Sequence, residues 1–248
     1  MSNRTEQHQL DLDQFSLWQA TFEARTALNF LQWDRSGLIA SELVRKRPNI
    51  EMAGAAPDKV VFKDGKLTFA VALKPSEEHT SITVTEEVPH LSLNTLIEAG
   101  EQLINITSKC LEIDEFTRIG LRLMFVKEYK DLSEATEALL KTNLLQCPPG
   151  PHFGVDGKPS RPSYMLRWED GKKGVMVHLT VEQRRVEFNP PADWVGMIGF
   201  KREINRILFD CDSYTIAKVN LSQLTIADWI TNAARLNRRD SGKFLRGL

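Results

Sequence analysis

Residues 116–129, FTRIGLRLMFVKEY, set Ile119, Leu121, Leu123 and Phe125 against Gly120, Arg122 and Met124. That two-residue period belongs to a pleated strand with one apolar face. The strand sits almost at the midpoint of the 248 residues. The order of elements after it echoes the order before it, so it organises the reading of the whole chain.

Residues 1–14 are polar and offer little to bury, which predicts a flexible N-terminal tail. Gln19 to Phe30 places Ala20, Phe22, Ala24, Thr26, Leu28 and Phe30 on one face, a half-buried strand. Trp33–Gly37 reads as a turn with Ser36 as N-cap of a helix that Pro48 stops. Strands at 59–62 and 67–73 flank Lys63-Asp64-Gly65-Lys66, where Asp-Gly signals a hairpin. A third strand spans 81–88. A helix over 93–110 buries Leu96, Ile97, Leu103, Ile104 and Ile106.

The second half restarts with 116–129. A helix over 132–142, capped by Asp131 or Ser133, follows it. Residues 147–163 hold five of the eleven prolines and read as a long Pro/Gly-rich loop. Strands at 164–168 and 175–181 flank a second Asp-Gly turn, Asp170-Gly171. Further strands are expected at 184–188 and within 202–219, separated by a second Pro/Gly-rich loop at 189–199. The last helix is expected over 225–236. The pattern predicts an α+β fold of two similar strand–helix–three-strand–helix halves, residues 15–112 and 113–248. The second carries the 147–163 loop and a basic C-terminal tail. Such halves can join edge strands into one antiparallel sheet with helices on one face.

Composition narrows the partners. Hydrophobic residues at 42% and charged residues at 26% match an ordinary globular domain, and the net charge of −1 argues against a surface built wholly for nucleic acid. Three separated cysteines, Cys110, Cys147 and Cys211, point to reduced thiols in a cytoplasmic setting. The N-terminus has no apolar export signal, and no stretch suits a membrane span.

Few residues suggest chemistry. Asp210 and Asp212 share a strand face and could offer carboxylate oxygens to a divalent metal. The histidines His8, His79, His90, His152 and His178 are scattered singly, without ligand spacing. Cys147 and His152 share a loop but lack the context of a nucleophile–base pair. No GxSxG, GxxxxGK[ST] or GxGxxG motif occurs, and no cofactor is implied. Arg235, Arg238, Arg239, Lys243 and Arg246 face only Asp240 near the C-terminus, a run that could neutralise nucleic-acid phosphates. Trp168, Trp194 and Trp229 are candidate interface anchors or core residues.

The run Arg118-Ile119-Gly120-Leu121-Arg122, followed by a turn and helix, resembles the mid-chain R-x-G-L-R-Y-x-N signature of an uncharacterised, sporadically distributed bacterial family of similar length. Asp210-Cys211-Asp212-Ser213-Tyr214 resembles that family's late Asp-x-Asp strand. Leu123 and Phe125 stand where the pattern has Tyr and Asn. The resemblance implies bacterial origin and a cytoplasmic location, and it transfers no catalytic residue.

The sequence therefore favours a non-enzymatic binding or accessory subunit, and the resemblance implies that it serves a bacterial cytoplasmic system in the company of mobile or defence genes. It would bind a protein partner or a second copy of itself. The alternatives are a nucleic-acid-binding component using the basic tail and a metal-dependent hydrolase using Asp210 and Asp212.

Overall fold

The computed structural model of the protein describes residues 10–142, 144, 159–188 and 200–247. His8, Cys147, His152, Trp194, most of the 147–163 loop and all of the 189–199 loop lie outside them.

Strand β1 (Ser16–Ala27) and strand β7 (Arg118–Tyr129) pair antiparallel at the centre of a nine-stranded sheet. On one side of β1 lie β5 (His79–Glu87), β4 (Leu67–Lys74), β3 (Lys59–Asp64) and β2 (Glu51–Ala56). On the other side of β7 lie β10 (Phe200–Thr215), β9 (Lys173–Phe188) and β8 (Ser163–Glu169). Every ladder is antiparallel. A two-residue ladder, β6 (Glu115–Phe116) with β11 (Val219–Asn220), stands apart. The protein is thus α+β, with residues 15–112 and 113–248 each supplying one side of a continuous sheet.

Alternation decides what each face does. Ala20, Phe22 and Ala24 of β1, Ile119, Leu121, Leu123 and Phe125 of β7, and Phe209 of β10 are all buried within one core cluster. The helices α1 (Leu31–Lys46), α2 (Asn94–Leu111), α3 (Leu132–Leu140) and α4 (Ile226–Leu245) cover this face. Each large apolar side chain buried there contributes about 1.5–3 kcal/mol. Gly100 of α2 lets the helix close on Phe22, where an added Cβ would stand 3.2 Å from the ring. The opposite face carries Thr21, Glu23, Arg25, Arg118, Arg122, Asp210 and Asp212.

Both Asp-Gly turns form, with Gly65 and Gly171 at positive φ of 57° and 83°. Asp131 is the cap of α3: its Oδ1 accepts from the Glu134 N–H at 2.8 Å, while Glu134 Oε2 accepts from the Lys130 N–H at 3.0 Å.

Five expectations need correcting. Trp33–Gly37 is not a turn but lies inside α1, and Ser36 bonds back to the Gln32 carbonyl instead of capping. Asn29 takes over at that end, its Oδ1 accepting from the Leu31 N–H at 3.1 Å. The segment 51–56, EMAGAA, forms an extra edge strand with every residue exposed. The strands expected at 175–181 and 184–188 are one strand, β9. The expected tail after 236 is helix to Leu245, because Asn237, Ser241 and Leu245 continue the buried stripe of Ile230 and Ala234. At the other end, Leu10 is buried and residues 12–14 form a 3-10 turn against α4, so this part of the expected N-terminal tail is packed.

Candidate functional site

The residues singled out in the sequence meet on the helix-free face. Register places Gly120 between Glu23 of β1 and Tyr214 of β10. The space that a side chain at 120 would fill is taken by the Arg118 guanidinium, 3.2 Å from where a Cβ would stand. From there Arg118 reaches Glu23 on one side and, at 2.6 Å, Asp212 on the other. Its guanidinium also lies 4.6 Å from the centre of the Tyr214 ring. Arg122 grips Asp210 through Nε, at 2.9 and 3.0 Å from the two carboxylate oxygens. Arg25 and the Ser81 hydroxyl complete Glu23, each at 2.9 Å.

The electrostatics follow from that geometry. Burial disfavours ionised Glu23, but the bond and charge of Arg25, with the Arg118 charge, outweigh it and hold the carboxyl below its ordinary range. For Asp212 burial dominates over the pull of Arg118 and raises the carboxyl. The Asp210 carboxylate raises Arg122 further. Asp210 is 3% exposed and its oxygens are engaged by a guanidinium. Among the described residues no group of three or more His, Cys, Asp or Glu is placed to hold a metal ion. The two sequence motifs thus describe one ion-pair network joining β1, β7 and β10.

Four of the five basic residues of the C-terminal run lie on α4, and Arg246 is the residue that caps its C-terminus. Arg235, Arg239 and Lys243 are exposed. Arg239 pairs with Asp240 at 2.7 Å, Arg238 donates to the Leu91 carbonyl, and Arg246 stands 4.0 Å from Asp11. Among the described residues no helix is long and apolar enough to cross a membrane.

A second site, which no motif announces, lies on the helix side. A half-open cavity of about 570 Å³ separates α4 from β8, β9 and β10. Trp168, Val175 and Val177 form its sheet wall, and Trp229, Ala233 and Leu236 its helix wall. Phe244 closes one end, packed against Tyr164, Trp168 and Phe209 with ring centres 6.1–6.3 Å away. The polar groups are Lys173 from β9, Ser213, Tyr214 and Thr215 from β10, and Asn232, Asn237, Asp240, Ser241 and Lys243 from α4. Cys211 also contributes, but burial pushes its thiol up to about 12. A thiol so placed stays protonated and is a poor nucleophile near neutral pH.

Two aspects of the sequence could have signalled this site. Ile230, Ala234, Asn237, Ser241 and Leu245 keep helical spacing beyond residue 236, and Val175 and Val177 alternate in phase with Leu179. What no spacing shows is that these two segments face one another.

No protein-family model matches the chain, and no curated protein does. The crystal structure of DynU16, a protein of the dynemicin biosynthetic locus, is similar at a TM-score of 0.26 and 11% identity, over 91% of this chain and 95% of that one. A likeness of that size carries no argument about fold or function.

Proposed function

We propose that this protein is a non-enzymatic binding subunit that takes a small apolar molecule between α4 and β8–β10. The observation that carries this reading is the cavity itself. Its volume of about 570 Å³ falls within the range of small-molecule sites, and like them its surface is mostly apolar with polar groups set among the apolar side chains. A cleft walled by Trp168, Val175, Val177 and Leu236 gains by shedding water, at roughly 25 cal/mol per Å² of apolar surface removed from solvent.

The test uses Nile red, an uncharged dye whose fluorescence rises in apolar surroundings. The folded protein is expected to bind it at one saturable site, and Leu236→Trp, which fills the cavity, is expected to lose that site. Absence of binding by the folded protein, or equal binding by the filled variant, would refute the reading.

A further inference from the structure

We propose that the cavity selects apolar molecules carrying a neutral carbonyl oxygen, read by Asn237 and Ser241. This inference rests on the binding role proposed above and adds the chemistry of the ligand.

Ser213 of β10 donates its hydroxyl to Asn237 Oδ1. That bond fixes which way the amide points: its oxygen is committed to the sheet, and the Nδ2 group is left as the free end. Asn237 is 4% exposed, and Nδ2 has no hydrogen-bond partner. One helical turn along the same face, Ser241 is also 4% exposed. Its hydroxyl has the Cys211 thiol beside it but no conventional hydrogen bond. Both side chains belong to the cavity lining. Buried polar groups are almost always paired, so two orphans in the wall of one apolar cleft need an explanation.

An acceptor oxygen satisfies both at once. Nδ2 carries donors only, and the Ser241 hydroxyl can donate to the same atom, so the matching ligand group is a lone-pair oxygen. Charge decides between carbonyl and carboxylate. The Cys211 thiol is neutral, and the Asp240 carboxyl at the rim is held low by Arg239, hence ionised. The charged side chains of the lining, Asp240, Lys173 and Lys243, are all exposed, so at Asn237 and Ser241 an anion would exchange its hydration for neutral donors alone, a far larger loss than a ketone, amide or ester oxygen suffers. The four-residue step along the helix, about 6 Å, suits two donors converging on one oxygen. A cavity without such donors prefers a hydrocarbon over its ketone, since the carbonyl must give up water without replacement.

The experiment compares 1-tetralone with tetralin, which differ by one carbonyl, in the intact protein by calorimetric titration. The wild type is expected to bind the ketone at least as tightly as the hydrocarbon. Asn237→Leu is expected to shift the affinity ratio about tenfold toward tetralin. Ser241→Ala, a small change that keeps the helix, is expected to shift it the same way by about three- to tenfold. If tetralin binds and its ratio to the ketone is the same in wild type and Ser241→Ala, the carbonyl assignment is overturned while the cavity remains a binding site. If neither compound binds the folded wild type, the binding role falls, and this inference with it.

Discussion

Replacing Arg118 by methionine isolates what the ion-pair network does. Methionine keeps the apolar stem of the side chain but removes the charged guanidinium that joins Glu23 to Asp212. The side chains of Arg118, Glu23 and Asp212 are 18%, 16% and 14% exposed. Removing one partner of a fully buried pair costs about 3–5 kcal/mol, because a charge is left uncompensated. Partial exposure and the remaining Arg25–Glu23 contact at 2.9 Å reduce this to about 2–4 kcal/mol. With a urea m-value near 3 kcal/mol/M, fitting for a chain of this size, the unfolding midpoint is expected to fall by about 1 M. The deficit depends on pH with a defined sign. Glu23 is held low in the native protein, so its stabilising share is present above its ordinary value of 4.5 and is lost as pH falls through the native value. Asp212 is raised, so its share is present below its ordinary 3.8 and is lost as pH rises through the native value. Without Arg118 both carboxyls shift upward, and both are protonated well below pH 3.8. The difference between wild type and variant should therefore shrink as urea melts are moved from pH 7 to pH 3. A deficit at pH 7 below about 0.5 kcal/mol would place the network among screened surface pairs and refute the reasoning.

Three further outcomes follow from the packing. Gly174→Ala puts a Cβ 2.4 Å from the Tyr214 ring, so the ring must leave Arg118 and the Glu169 carboxylate to which its hydroxyl donates at 2.7 Å; calorimetry is expected to register a loss of about 1–3 kcal/mol, and an unchanged melting temperature would contradict that contact. Cys110 and Cys211 are buried with raised thiol pKa values, so iodoacetamide at pH 8 followed by peptide mapping should leave both unlabelled until the protein unfolds; rapid native labelling of Cys211 would mean that the cavity floor is open. Leu245→Ala should cost about 2–5 kcal/mol in chemical denaturation, since Leu245 is 1% exposed, whereas glutamine at the exposed Arg235, Arg239 and Lys243 should change stability by under about 0.5 kcal/mol; equal effects would mean that the end of α4 is not packed.

That last pair bears on how far the sequence could be read. Wherever one face is apolar and the other polar, the two-residue alternation identified strands: β7 and β5 lie within a residue or two of where their patterns place them. The Asp-Gly pairs located two turns because only a residue tolerant of positive φ fits there. β2 escaped because EMAGAA buries nothing and so has no pattern to show. The end of α4 read as a basic tail because its buried stripe runs through Asn237, Ser241 and Gly242, residues that composition assigns to solvent. A deletion of residues 235–248 meant to remove basic charge would also remove Leu245 from the core, so only side-chain neutralisation isolates the charge. The motif residues were visible as motifs, but their partnership was not. Arg118 and Asp212 are 94 positions apart, and only the β7–β10 register brings them together.

The two sites differ in what they leave unsatisfied, and that difference weighs on function. On the helix-free face, Arg118, Arg122, Asp210 and Asp212 meet one another's charges at hydrogen-bonding distance. A metal or phosphate arriving there would have to replace an existing partner, so much of its gain would go to breaking a bond already made. Along the α4–β10 seam the situation is reversed. Asn237 Nδ2 and Ser241 Oγ have been taken out of water and given no conventional partner, each at a desolvation cost of about 1–3 kcal/mol that folding alone does not return. A ligand oxygen supplying those bonds recovers that energy as affinity and displaces no existing contact. The groups prominent in the sequence are therefore those that hold the sheet together. The polar residues that end α4 line a cavity and still have bonds to offer a ligand.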